Sequence, residues 1–336
     1  MSSDLEELGE FGVIDLFRRE TPARRPWQIQ GIGDDCAIFE ISDREFLLAT
    51  TDMMLEGSHF ERRTTTPYQL GWKALAVNVS DIAAMGGQPR SALLGLGLTP
   101  DVDREYLLGL REGMEACGRS FGVDISGGDT VACKGGIFIS VTLLGLTTRN
   151  MTLSRSGAKP GDQVFLGRNV GDSAAGLRLL QLGGGLREEY AGLLRAHLEP
   201  VPQVDLGRDL AAAGLATAMI DVSDGVVQDL WRICRESGVG ARIDADAVPI
   251  SEDARRLGGI LSLDPLEWAL YGGEDYCLLF CGLADSAAEV IDHCRRELDQ
   301  EVHLVGEITE GDKVVVRRGG VEIFPGRRGF DHFRPQ

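Results

Sequence analysis

Aspartate recurs along this chain inside short polar phrases: Gly31 to Asp35 (GIGDD), Thr50 to Asp52 (TTD), Asn78 to Asp81 (NVSD), Gly127 to Thr130 (GGDT) and Asp221 to Gly225 (DVSDG). Carboxylates gathered by folding repel one another and push each other's pKa upward, so a fold that brings these phrases together needs cations among them. Oxygen ligands without a histidine or cysteine cluster suit a hard ion. Mg²⁺ takes one or two carboxylates and leaves its other positions to water and phosphate. Several aspartates therefore fit several Mg²⁺ ions sharing one polyphosphate. Calcium fits less well, because no D-x-[DN]-x-[DN]-G loop closed by Glu is present. Taken singly, each phrase reads equally as a helix cap or a turn. The five together favour a cation site.

At 336 residues the chain is long for one hydrophobic core, and two domains are expected. Its net charge of −18 comes from 34 Lys and Arg against 52 Asp and Glu, which argues against nonspecific binding to nucleic acid or anionic membrane. An anionic nucleotide would approach as its magnesium complex. The opening MSSDLEELGE lacks the basic and apolar segments of a signal peptide, and no stretch approaches about 18 uninterrupted apolar residues. A soluble, cytoplasmic protein is expected. Seven cysteines form no CxxC pair and read as buried, reduced residues. Cys36 adjoins the GIGDD aspartates, but spacing assigns it no His or Asn partner, so it reads as packing rather than as a nucleophile.

Leu5, Leu8, Phe11, Ile14, Leu16 and Phe17 predict an amphipathic opening helix over 5–18. Strands are predicted at 36–39, 46–51, 92–98 and 137–146. Between them, Thr66 as N-cap, Pro67 at the first helical position and Gly86-Gly87 beyond the end bracket a helix over about 67–85. On it Lys73, Val77 and Asp81 share one strip while Leu75, Ala76, Val79, Ile82 and Ala83 face inward, so Asp81 needs a partner. A second helix is predicted over 103–120, ending at Gly122. Ser, Gly, Lys and Pro cluster over 147–162, which places a domain boundary there: 1–148, then 149–336. The second half repeats the style, with strands at 163–167, 217–221, 240–244, 276–281, 302–308, 313–317 and 322–324. Its helices start at Asp172 and span 204–213 and 226–236. The class is α/β (α+β). Each half has a strand entering an Asp phrase and a later Gly-Gly-acid phrase (SGGDT, YGGED), a weak internal echo.

No P-loop, Rossmann GxGxxG or protein-kinase signature is present. Phosphoryl transfer nevertheless needs mainly positioning and charge neutralisation, which metal ions held by aspartates can supply. The glycines of GIGDD, SGGDT and YGGED read as phosphate-cradling loops or as plain tight turns. Arg155 reads as a phosphate contact or as an exposed linker residue, and His59 as a substrate contact or a structural histidine. Glu274 and Asp275 read as a recognition pair for a cationic or amino-bearing substrate, or as a solvated turn.

GIGDDCA, TTDMMLEGSHF, KALAVNVSDIAAMGGQP, SGGDT, SRSGAKPGD, GDSAAGL, HLEPVPQ, IDVSDG, YGGEDY and GFDHF, in this order over about residues 11–333, resemble the bacterial thiamine-monophosphate kinase family. The resemblance implies the two-domain fold of aminoimidazole ribonucleotide synthetase-like proteins. In that fold an N-terminal mixed sheet with flanking helices forms a homodimer, and a C-terminal α/β domain completes the active site. It also implies direct, in-line transfer of the γ-phosphoryl of ATP onto thiamine phosphate, giving thiamine diphosphate and ADP, with Mg²⁺ bridging phosphates and no phosphoenzyme. Carried over by position, the metal ligands are Asp35, Thr50, Thr51, Asp52, Asp81, Asp129, Asp221 and Asp224, with Asp34 as ligand or support. Asp52, Asp81, Asp129 and Asp221 are the catalytic members. ATP contacts are Gly128, Asp129, Arg155 and Ser223, and thiamine phosphate contacts are His59, Glu274 and Phe330. A position where the family carries Trp or Tyr is here Arg327. Alternatives are another ATP-using enzyme of the superfamily, such as an aminoimidazole ribonucleotide synthetase, and a non-catalytic thiamine-phosphate or nucleotide binder; EGSHF, SRSGAKPGD and the intact acid set favour the kinase.

Overall fold

The computed structural model describes residues 4–20, 25–183, 186–323, 325 and 329. The first half carries α1 (Asp4–Glu20), β1 (Gln28–Gln30), β2 (Ala37–Glu40), β3 (Glu45–Leu55), α2 (Pro67–Ala84), β4 (Gln88–Leu98), α3 (Arg104–Phe121), β5 (Asp124–Ala132) and β6 (Phe138–Thr148). The second half carries β7 (Gln163–Leu166), α4 (Asp172–Leu182), α5 (Ala191–Leu198), α6 (Val204–Ala213), β8 (Ala218–Asp221), α7 (Val226–Ser237) and β9 (Gly240–Asp244). It continues through α8 (Glu252–Leu261), α9 (Pro265–Tyr271), β10 (Leu278–Gly282), α10 (Ala287–Leu298), β11 (His303–Thr309), β12 (Val314–Arg318) and β13 (Val321–Ile323).

Each half builds its own sheet. The first is six-stranded in the order β1-β2-β3-β6-β4-β5, antiparallel except for the parallel pair β4–β5; the second is seven-stranded in the order β13-β12-β9-β11-β7-β10-β8. β3 and β6 pair over their full lengths, from Glu45 opposite Thr148 to Leu55 opposite Phe138. Residues alternate between faces along a strand, so Leu48, Ile139, Val141 and Leu143 are buried while Met53, Leu55 and Leu93 stay exposed on the other face.

α2 lies on the buried face and starts where its sequence dictates. Gln69 N–H donates to Thr66 Oγ1 at 3.3 Å, Thr66 N–H donates to Gln69 Oε1 at 3.1 Å, and Pro67 supplies the preset φ of the first turn. Glycine lets its neighbours approach to backbone distance. A Cβ at Gly71 would sit 2.0 Å from Leu110 O of α3, and one at Gly207 of α6 would sit 2.1 Å from Ala83 O of α2. The second contact crosses the seam between halves, as do Trp72 Nε1–H to Pro200 O at 2.7 Å and a hydrophobic cluster joining Leu70, Ala76 and Ile82 to Phe165, Leu206 and Phe280.

Two expectations need correction. SGGDT is neither a loop nor a turn but the middle of β5, an edge strand exposed along its whole length. Local reading missed it because the strand is specified by pairing with β4: a Cβ at Gly128 would lie 1.9 Å from Leu94 O. YGGED, by contrast, is the loop between α9 and β10, so the two Gly-Gly-acid phrases are not structural equivalents. The opening helix breaks at Gly9 (φ 64°), and Ile14, Leu16 and Phe17 remain exposed. Phe11 instead packs edge-on against Trp231 of α7 at 5.4 Å, while Arg18 is paired bidentately with Glu236 at 2.6 and 2.8 Å and Arg235 with Asp15 at 2.5 Å. Among the described residues no helix is long and apolar enough to cross a membrane.

Because Gly207 is helical, Ala would be favoured there by intrinsic propensity by about 1 kcal/mol, but the contact with Ala83 O leaves no room for a methyl group. Gly207→Ala is therefore expected to destabilise by about 1–3 kcal/mol, whereas Gly259→Ala, in open space on α8, should stabilise by about 0.5–1 kcal/mol. Urea unfolding of the two variants would show opposite shifts; equal shifts would remove the seam contact as the reason for glycine.

Candidate active site

A cavity of about 780 Å³ opens along the seam. The first half delivers Thr50, Thr51 and Asp52 from β3, Asp81 from α2, His59 from the turn after β3 and Asp35 from the loop before β2. The second delivers Asp221 at the end of β8, Ser223 and Asp224 just beyond it, and Glu274 from the turn before β10. Arg155 joins them from the connection between halves.

Asp35, Asp81 and Asp221 each place a carboxylate oxygen within 4.8 Å of the others. Hydroxyls and one guanidinium hold them there: Thr50 Oγ1–H donates to Asp81 Oδ2 and Ser80 Oγ–H to Asp221 Oδ2, both at 2.5 Å. Arg155 Nη2 meets Asp35 Oδ1 at 2.5 Å, and Arg155 N–H donates to Asp34 Oδ1 at 3.1 Å. The electrostatic strain shows in the acids. Burial, with Asp52, Asp221 and Asp35 adding to it, pushes Asp81 well above the carboxylate range, and burial with Asp35 does the same to Asp221. Asp52 rises to about 6 and Asp34 to about 7, burial being the first cause in both. Asp35 Oδ2 is buried without a hydrogen-bond partner among the described residues, as is Arg155 Nε. An orphaned carboxylate oxygen in a group of three suits a hard divalent cation, and the buried N–H suits a phosphate oxygen. The donor set fits Mg²⁺.

The second half contributes a support that the sequence reading missed. Asp229, on the first turn of α7 and fully buried, accepts from the backbone N–H of Ser223, Asp224 and Gly225 at 3.0, 3.0 and 3.1 Å. It thereby shapes the DVSDG loop immediately ahead of α7. Arg232 pairs with both Asp224 and Asp229. The available signal was an acid four residues after SDG, at the first turn of a predicted helix. The YGGED loop is equally constrained: a Cβ at Gly273 would sit 2.2 Å from Ser223 O, which makes its glycine a steric requirement of crossing DVSDG. Asp275 is no recognition group, because its oxygens accept from Gly171 N–H at 2.7 Å and Ser173 N–H at 3.2 Å. His59 Nδ1 accepts from Leu55 N–H at 3.1 Å, which leaves the ring proton on Nε2. Cys36 is buried and its thiol is pushed far up by burial, then by Asp81 and Asp35, as suits a packing residue.

The chain matches the AIR synthase related protein family, the N-terminal domain over residues 33–147 and the C-terminal domain over residues 159–319. It is 36% identical over 330 residues to the thiamine-monophosphate kinase of Salmonella typhimurium, covering 97% of this chain and 98% of that protein. With the thiamine-monophosphate kinase of Aquifex aeolicus the identity is 35% over 333 residues, covering 98% and 99%. The chain belongs to the thiamine-monophosphate kinase family. Among solved structures, AaThiL complexed with AMPPCP and TMP superposes with a TM-score of 0.87 at 34% identity, covering 99% of each chain. HypE in complex with ATP, at 19% identity and a TM-score of 0.69, shares the fold.

Of the residues expected from the thiamine-monophosphate kinase family, the cavity gathers Asp35, Thr50, Thr51, Asp52, His59, Asp81, Arg155, Asp221, Ser223, Asp224 and Glu274. It does not gather Gly128 and Asp129. Asp129 lies in the row Met53–Ser140–Gly95–Asp129, three strands from β3 and so roughly 14 Å across the sheet. Phe330 and Arg327 fall outside the described residues.

The raised acids fix a pH dependence. Asp34, Asp52 and Asp229, at about 7, 6 and 7, hold protons in the folded chain that the unfolded chain has already released, so they contribute stability that is lost as pH rises through 6–7. His197, lowered to about 4 by burial and then Lys73, and His303, lowered by burial, work the other way. Without divalent ions, the urea midpoint is expected to be higher at pH 5.5 than at pH 7.5, and Mg²⁺ should raise it more at pH 7.5. A midpoint that rises with pH in metal-free protein would contradict the crowding of these acids.

Proposed function

We propose that this protein transfers the γ-phosphoryl group of ATP to thiamine phosphate in one in-line step, producing thiamine diphosphate and ADP with several Mg²⁺ ions. The observation that carries this reading is the convergence of Asp35, Asp81 and Asp221 with Arg155 at one end of a cavity whose wall also holds His59 and Glu274. Bound Mg²⁺ would supply neutralisation of the phosphate oxygens, held by Asp35, Asp52, Asp81, Asp221 and Asp224 with Thr50 and Thr51 beside them. Arg155 orients the nucleotide phosphates through its buried N–H groups, and Ser223 contributes from a loop fixed by Asp229. His59 and Glu274 place the acceptor. The attacking group is a phosphate oxygen, already anionic, so no strong general base is needed. Direct transfer is favoured because the thiol beside the acids, Cys36, is buried in the core at 2% exposure. Seven free cysteines fit a reducing, cytoplasmic compartment.

The reading includes a homodimer. The open face of the first sheet exposes Met53, Leu93 and Val131, and β5 presents an unpaired edge, a combination that invites a second copy. We place Gly128 and Asp129 in the partner's site, since each is too far across the sheet to reach the acids of its own chain.

Asp52→Asn is expected to cut kcat about 10²–10³-fold while leaving the urea midpoint at pH 7.5 unchanged or higher, because a crowded charge is removed. ADP release that depends on thiamine phosphate is the assay. Near-normal kcat at saturating Mg²⁺ would take Asp52 out of the site, and ADP release without thiamine phosphate would favour another ATP-using enzyme. Mixing refolded Asp52→Asn and Asp129→Asn chains tests the partner assignment. Half the dimers are mixed and each has one intact site, so about a quarter of wild-type activity should return; no recovery would place Asp129 in its own chain's site.

A further inference from the structure

Lys73 is a cation buried at 2% exposure on the apolar helix α2, among Leu70, Ala74 and Val77. Its Nζ lies 2.9 Å from Glu274 Oε1, an ion pair whose distance is short but whose alignment is not that of a regular hydrogen bond. The two side chains differ in access: Lys73 is 3% exposed and Glu274 is 26% exposed, and of the pair only Glu274 lines the cavity. The other oxygen, Oε2, lies 3.3 Å from Nδ1 of His197, itself buried on α5, and the same nitrogen is 3.1 Å from Ser173 Oγ on α4. The hydrogen-bond partner of Nδ1 is Ser173 Oγ, and Glu274 Oε2 lies beside the same nitrogen. Two helices thus bring a side chain to one carboxylate, and a third, α4, holds one of those side chains through Ser173.

The backbone beneath it is held with equal care. Glu274 adopts a left-handed φ of 65°, unfavourable for a residue with a Cβ, and is fixed there by its N–H donating to Ser223 O at 2.8 Å. Strain kept at a carboxylate in a cavity wall marks a group whose place matters more than local stability.

We propose that Lys73 is a positioning residue for the acceptor: it holds Glu274 at a fixed place in the wall, with His197, itself held by Ser173, beside the second oxygen, so that the carboxylate meets the cationic or amino-bearing ring of the substrate. This rests on the cavity being the thiamine phosphate site. Lys73 itself does not touch substrate; its effect passes through Glu274.

Steady-state kinetics of Lys73→Met, Glu274→Gln and the double variant test the proposal, with thiamine phosphate and Mg²⁺-ATP varied separately. Lys73→Met is expected to raise KM for thiamine phosphate tenfold or more and to leave KM for ATP within twofold. The double variant should be no worse than Glu274→Gln alone, because removing Glu274 removes what Lys73 acts on. Additive losses, or an ATP KM that rises equally, would overturn the proposal. If Lys73→Met does not fold, Lys73→Arg replaces it: the charge stays, the position shifts, and an unchanged acceptor KM would overturn the proposal as well. Wild-type protein that fails to turn over thiamine phosphate would defeat the functional reading and this inference with it. Wild-type turnover with an unaffected Lys73→Met would defeat the role of Lys73 alone.

Discussion

Repulsion between carboxylates at a seam between two domains is the constraint around which the molecule is arranged. Asp35, Asp81 and Asp221 come from a loop, a helix and a strand end on both sides of that seam, and each arrives with a dedicated partner: Arg155, Thr50 and Ser80 respectively. None of these partners neutralises the whole cluster. Burial in a low dielectric raises the acids further, so the folded chain carries a concentrated demand for positive charge where a polyphosphate with its metal ions would be received.

Meeting that demand requires the two halves to be fixed to each other, and α2 provides the fixing. One side of the helix packs on the first sheet, its start contacts α3 through Gly71, and its end contacts α6 through Gly207. Along the remaining strip it presents Lys73 to Glu274, Ser80 to Asp221 and Asp81 to Thr50, while Asn78 Oδ1 accepts from Asp52 N–H at 3.1 Å. A displacement of α2 would therefore disturb the three-acid cluster and Glu274 together. The same helix that closes the core sets the spacing of the chemistry.

Much of this was legible in the sequence wherever the determinant was local. Thr66, Pro67 and Gln69 define the start of α2 by direct hydrogen bonding and preset geometry, and Asp103 and Gly122 do the same for the two ends of α3. What depended on distant partners was not legible. β5 exists because β4 pairs with it, and its Gly-Gly mimics a turn. Asp229 looks like an ordinary residue at a helix start until the three backbone donors folded over it are known. Asp275 shares its sequence context with Glu274, yet one faces the cavity and the other secures the start of α4. The resemblance named more of the cavity's lining residues than spacing could, and the sheet separates Asp129 from those of β3 by three strands.

The docking of α1 onto α7 has a consequence for how the chain is made. Arg18 and Glu236 are 218 residues apart, so once α1 has left the ribosome it has no counterpart until the chain as far as α7 has followed. During synthesis it must wait with Phe11 uncovered, and only the arrival of Trp231, Arg235 and Glu236 gives it a surface. Order of assembly is thereby built into the fold: the strap that ties α1 to the second half cannot close before α7 has been made.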